Sequence, residues 1–178
     1  MIIRIRTKAI FAASLIVAAL IFSTVNTNTA NADDTRAPSS SVSEITAVKA
    51  VLAAYNTATA RLDLSGTETL FASDSEVIET GAIEGTYSYY LEHHIGPELK
   101  EFKTFEFKNY AVNVTLDQTY AFATESFEFR IEPKSGEAAV ERLGVATSVL
   151  KMTAKGWKIF RYHWSSRRPP AKPSPSKP

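Results

Sequence analysis

The chain has no cysteine. Disulfide staples, thiolate metal ligands and cysteine nucleophiles are excluded, so a domain built from it must rest on an ordinary hydrophobic core. Histidine is scarce: the three are His93, His94 and His163, and no H-x-H or H-x-x-x-H spacing occurs. Those are the spacings that place two imidazoles on one ion, so the sequence calls for no metal and no other cofactor. Long apolar runs are confined to the beginning of the chain. Arg4, Arg6 and Lys8 precede an apolar stretch from Ala9 to Val25, and Ala30-Asn31-Ala32 follows. This is the pattern of a bacterial Sec-type signal peptide over residues 1–32, cleaved after Ala32, and it predicts a periplasmic or secreted protein with no membrane span after cleavage. The apolar core from Ala9 to Phe22 is short against the ~20 residues of a spanning helix.

Residues 33–42 (DDTRAPSSSV) read as a polar linker, and residues 167–178 (RRPPAKPSPSKP) as a basic, proline-rich, disordered tail. Between them, residues 43–166 form one domain, large enough to be stable alone. That stretch carries 12 basic and 17 acidic residues, a net charge of −5. An acidic domain argues against nucleic acid as partner, because phosphate contacts require a basic face.

Ser41 and Glu44 have the spacing of a capping box, and Ile45, Val48, Val51, Leu52, Tyr55, Ala58 and Leu62 recur at three- and four-residue intervals behind it. The pattern predicts an amphipathic helix ending near Asp63. A short helix is expected over residues 67–71, a short strand over 76–80, a loop punctuated by Gly81 and Gly85, and a helix from Tyr87 to about His94, capped by Thr86 and interrupted at Gly96-Pro97. Four long strands complete the domain, approximately 104–116, 120–132, 138–152 and 157–166, joined by short turns. Such strands form an antiparallel meander, and the whole reads as an α+β domain with helices on one face of a curved sheet.

The last strand carries the clearest functional signal. Its odd positions are Trp157, Ile159, Arg161, His163 and Ser165. With strict alternation this face turns from apolar to polar along its length, as expected of a pocket closed at one end and functional at the other. His163 and Ser165 are thus expected to face inward, His163 as a general base or as a histidine bonded to a neighbouring strand. His93 and His94 are adjacent on a helix, and His94 shares a face with Tyr87, Tyr90 and Leu91, so His94 is the inward one. Glu125 interrupts the apolar parity of Ala121, Ala123, Phe127 and Phe129. A carboxylate there needs a raised pKa or a basic partner, with Arg142 or Arg161 as candidates. The expected ligand-binding set is His94, His163, Glu125, Arg142 and Ser165, with His163, Glu125 and Tyr87 as candidates for catalysis.

Certain residues resemble the SnoaL-like branch of the nuclear transport factor 2-like superfamily: Gly85-x-Tyr87 with His93-His94-x-x-Pro97-Glu98-Leu99 and Phe102, Arg142-x-Gly144-x-x-Thr147-x-Val149-Leu150, and Gly156-Trp157-x-Ile159-x-x-x-His163-x-Ser165. The resemblance covers nearly the whole domain. It implies a cone, with a strongly curved, mainly antiparallel sheet wrapped around about three helices, an apolar pocket within, and often a homodimer through the outer face. Its members range over isomerases, dehydratases, epoxide hydrolases and polyketide cyclases, so fold alone does not decide function. The enzymes among them typically use a pocket Asp, Tyr–Asp or Asp–His pair, whereas Asp117 here falls in a turn. Three roles fit: an exported domain binding a small apolar or partly polar molecule; a lyase, isomerase or hydrolase using His163 with Glu125 or Tyr87; or a non-catalytic interaction or dimerisation protein.

Overall fold

The computed structural model describes residues 38–170. The expected leader with its cleavage site, the first part of the linker and the end of the tail lie outside the described residues. Helix α1 spans Pro38–Ala60. Val48, Leu52, Tyr55 and Thr59 are buried along it, at the three- and four-residue spacing that makes one inward stripe. The helix starts ahead of the expected capping box and takes in part of the stretch read as linker. Proline costs nothing in a first turn, where N–H groups have no intrahelical partner. At the far end Leu62 is left-handed (φ 56°). Its N–H bonds to the Thr59 carbonyl, and that of Asp63 to the Ala58 carbonyl, the paired bonds of a Schellman ending.

A 3₁₀ turn at Thr67–Leu70 leads into β1 (Phe71–Glu79). Where a loop was expected, the chain forms a further strand, β2 (Ala82–Gly85). Thr80 and Gly81 both have positive φ (46° and 88°), and Glu79 pairs with Ala82. This two-residue turn matches the twist of an antiparallel hairpin. Thr86 then caps a helical run, its hydroxyl accepting the Tyr89 N–H. The run comprises α2 (Tyr87–Tyr90), a π turn (Leu91–Ile95) and α3 (Gly96–Lys100). The expected break at Gly96-Pro97 is therefore a widened turn. Proline cannot donate within a helix, and an inserted residue carries the chain past it, with the Gly96 N–H returning to the Leu91 carbonyl. A Cβ on Gly96 would stand 2.3 Å from that oxygen.

Four long strands follow: β3 (Phe102–Asp117), β4 (Tyr120–Pro133), β5 (Val140–Thr153) and β6 (Gly156–Arg167). The sheet order is β2-β1-β6-β5-β4-β3. Only β1 and β6 pair in parallel; the other neighbours are antiparallel. The result is the expected α+β architecture, an open, curled sheet with α1 packed against β3 and β6. The ring of Tyr55 contacts Phe71, Tyr87 and Tyr162 edge-on, and this aromatic cluster joins helix to sheet.

Two bulges decide which side chains enter the concave face. In β6, Leu150 of β5 pairs with Ile159 and Val149 with Arg161, leaving Phe160 without an opposite number. An extra residue reverses the alternation beyond it. Inward positions before the bulge are Trp157 and Ile159; after it they are Tyr162, Trp164 and Ser166. In β3, Lys108 pairs with Glu128 and Ala111 with Ser126, and Asn109 is left-handed at φ 52°. There the buried set passes from Phe105 and Phe107 to Val112, Val114 and Leu116, and Tyr110 swings inward to reach β4.

Candidate functional site

The concave face encloses a cavity of about 170 Å³. One wall is aromatic, built by Phe102, Phe105, Phe107 and Phe129 from β3 and β4 and by Tyr162 and Trp164 from β6. These rings line the space rather than plug it. Polar groups enter at a few points: Asn56 and Thr59 from α1, Glu79 from β1, Tyr90 and Glu98 from the helical run, and Arg142 and Ser166 from β5 and β6.

Glu79 and Tyr90 form the central polar pair. The Tyr90 hydroxyl donates to Glu79 Oε2. Tyr90 is almost wholly buried. Burial above all, then the neighbouring Tyr55 and Glu79, pushes its phenol far above the ordinary tyrosine value, so it remains a donor. Glu98, one turn beyond the π turn, also faces the cavity. Desolvation and then repulsion from Glu79 raise its carboxyl, while His94 pulls the other way. His94 Nδ1 lies 3.0 Å from Glu84 and its Nε2 lies 3.9 Å from Glu98. The Glu84 hydrogen bond raises the imidazole above the usual histidine value, more than partial burial lowers it. His94 thus braces the rim through Glu98. His93 lies outside, stacked on Tyr89 with Nδ1 3.0 Å from the Tyr89 carbonyl.

Glu125 is 2 % exposed and does face inward, but neither Arg142 nor Arg161 pairs with it. Its Oε1 accepts from Asn56 Nδ2 at 2.9 Å and from the Tyr110 hydroxyl at 2.8 Å. Burial raises its carboxyl, and the two hydrogen bonds oppose that rise. It reaches the cavity through Asn56, which lines it. Arg161 instead lies 3.5 Å from Glu76, while Arg142 lines the cavity as a ligand contact could.

Three expectations are corrected. His163 is exposed and pairs across strands with Ile78 and Thr147 on the convex side, because the Phe160 bulge reversed its parity; it cannot be the pocket base. Ser165 follows it out, and Ser166 takes the inward position. Tyr87 is buried in the core, its hydroxyl 2.6 Å from Thr67 Oγ1 and its ring stacked 3.6 Å from Phe71. Burial lifts its phenol to about 12, and it does not line the cavity. Sequence reasoning passed over Glu79 and Asn56; it placed Tyr90 on the inward helix face and Glu98 in the family motif but assigned neither to the site. For Glu79 the signal was partial: Ser75, Val77 and Glu79 alternate along β1, with Ser75 and Val77 buried and the carboxylate closing the series.

The family model of the SnoaL-like domain matches residues 48–169. The chain belongs to the SnoaL-like family. No curated protein matches it, but solved structures of the nuclear transport factor 2-like superfamily do. A superfamily protein from Salmonella enterica serovar Typhimurium superposes with a TM-score of 0.63 at 17 % identity, over 78 % of this chain and 99 % of that one. A candidate dehydratase from Streptomyces avermitilis gives 0.62 at 18 % identity, over 72 % and 99 %. A candidate ketosteroid isomerase from Shewanella frigidimarina gives 0.59 at 23 % identity, over 67 % and 94 %. At such identities the likeness is one of fold. This SnoaL-like domain shares the curled sheet of these proteins and places its own carboxylate–tyrosine pair inside it.

Proposed function

We propose that this SnoaL-like domain binds a small, single-ring molecule in its aromatic cavity, oriented by Glu79 and Tyr90, with Glu98 and Arg142 at hand. The observation that carries the reading is the Tyr90–Glu79 hydrogen bond set in an enclosure lined mostly by aromatic and aliphatic side chains. A few placed polar groups on apolar walls are the usual constitution of a ligand site. The volume of about 170 Å³ is comparable with the ~150 Å³ apolar cavity that accepts benzene in an engineered protein. Trp164 on the wall supplies the assay. Titration with phenol should quench tryptophan fluorescence saturably in the wild type and not in V140W, which fills the lining position Val140. Identical, unsaturable quenching in both would remove the reading.

The same pair favours a second role, acid–base catalysis with Glu79 as base and Tyr90 turning its one proton from Glu79 to the developing oxyanion of a bound substrate. The candidate dehydratase and ketosteroid isomerase of the same fold lend it support. Deuterium exchange at the α-carbon of cyclohexanone, faster with the wild type than with E79Q, would bear this out; equal rates would dismiss it. Export is part of the proposal, resting on the basic, apolar and A-x-A succession of residues 1–32. An N-terminus at Asp33 in the protein recovered from a bacterial periplasm is the expected result. A homodimer through the convex face is proposed from the exposed Tyr120, Phe122 and Val145 on that side.

A further inference from the structure

The cavity's charge and its rings point to the kind of molecule it takes. Two carboxylates, Glu79 and Glu98, line it against one guanidinium, Arg142, and Glu125 stands behind Asn56 with no cationic partner among its hydrogen bonds. Arg142 is directed partly away, its Nη1 donating to the backbone carbonyl of Glu141 at 3.2 Å. The other nearby base, His94, is taken up by Glu84. Aromatic rings complete the enclosure, with Phe105, Phe107, Phe129, Tyr162 and Trp164 prominent among them. The face of an aromatic ring carries negative potential and attracts cations, the more so away from water.

We propose that the cavity selects organic cations, specifically a protonated amine carried on a single ring, with the ammonium at Glu79 and the ring against Phe105, Phe129 and Trp164. The inference rests on the ligand-binding reading and narrows it. A cation at Glu79 would relieve the repulsion between Glu79 and Glu98. It would also gain charge-assisted hydrogen bonds that no neutral or anionic ring could make. An anion would meet two carboxylates for the one guanidinium.

Benzylamine, benzyl alcohol and benzoate share a ring and differ in charge, and calorimetric titration of the folded wild type at pH 7 with each separates the cases. Benzylamine should bind at least about tenfold more tightly than benzyl alcohol, the range expected of a hydrogen bond to a charged group, and benzoate should bind weakest. E79Q keeps an acceptor for Tyr90 while removing the charge, and should erase the preference for benzylamine over benzyl alcohol; a preference that survives E79Q would overturn the placement of the ammonium at Glu79. Equal affinity for all three, or benzoate the tightest, would overturn the cation inference and leave a ring-binding cavity. No binding by any of them, with circular dichroism showing a folded protein, would overturn both.

Discussion

Glu125 shows how much one buried side chain can govern. It sits between Ala123 and Phe127 on the inward face of β4, satisfied by an amide and a phenol rather than by a cation. Glu125→Ala would strand both donors and open a void. A loss of roughly 2–4 kcal/mol is expected from unmade hydrogen bonds and the cavity together, while Glu125→Gln, which still accepts, should stay within about 1 kcal/mol; urea denaturation distinguishes them. The pH dependence has a definite sign. A carboxyl raised in the folded chain keeps its proton where the unfolded chain, with a value near ~4.3, has lost it. Its contribution is therefore present below the unfolded value and is lost as pH rises toward the folded one. His94 acts in the same sense, its contribution present below ~6.5 and lost as pH rises through its raised value. Glu125→Gln should flatten the fall in stability above the acid range, and an unchanged pH profile would show that the carboxyl ionises without cost.

At the scale of elements, period-two reading succeeded where a strand is regular and failed where it is bulged. In β4 the unbroken alternation of Ala121, Ala123, Glu125, Phe127 and Phe129 is all buried, and the residues alone predicted it. In β6 the same reasoning was sound up to Ile159 and inverted after Phe160. No residue type announces that bulge; it comes from the curvature of the sheet, which a local pattern does not contain. The hairpin of β1 and β2 was missed because Thr80, an unusual residue at positive φ, hides the turn signal. Glu79 went with it, since its role becomes visible only when β1 is long enough to show its inward parity. Gly144 marks another tertiary demand, for it pairs with Phe127 and a Cβ there would lie 2.1 Å from that ring. Gly144→Ala should cost about 1–3 kcal/mol through overpacking. Phe127→Leu in the same chain should recover part of that loss; a double-mutant cycle with no coupling would contradict the contact.

Across the whole molecule, charge and apolar surface are distributed unevenly. The domain is acidic, while the convex face of β4 exposes Tyr120 and Phe122 two residues apart, at 43 % and 47 %, and Val145 of β5, opposite Ser126, lies exposed farther along the same face. Apolar side chains in such a group mark an association surface more often than isolated ones do. Light scattering of the protein from Asp33 onward should report a dimer for the wild type and a monomer for Phe122→Glu, with cavity binding retained. A wild-type monomer would end the dimer proposal. The α+β class, the meander and the curled sheet were legible from the order and length of the apolar segments. Of the cavity's polar groups Arg142 was legible, whereas Glu79, Tyr90 and Glu98 were not assigned, because they come from three elements that converge only in space.

The parallel pairing of β1 with β6 carries a consequence for how the chain reaches its native state. Phe71 must find Ile159, and Val77 must find Tyr162, although almost the entire meander lies between them in sequence. Pairings this distant are closed late and slowly. The chain can assemble β3, β4 and β5 by successive local turns and lay α1 against β3, but the β1–β2 hairpin has no sheet to join until the final strand is in place. That early hairpin waits on the last dozen residues of the domain.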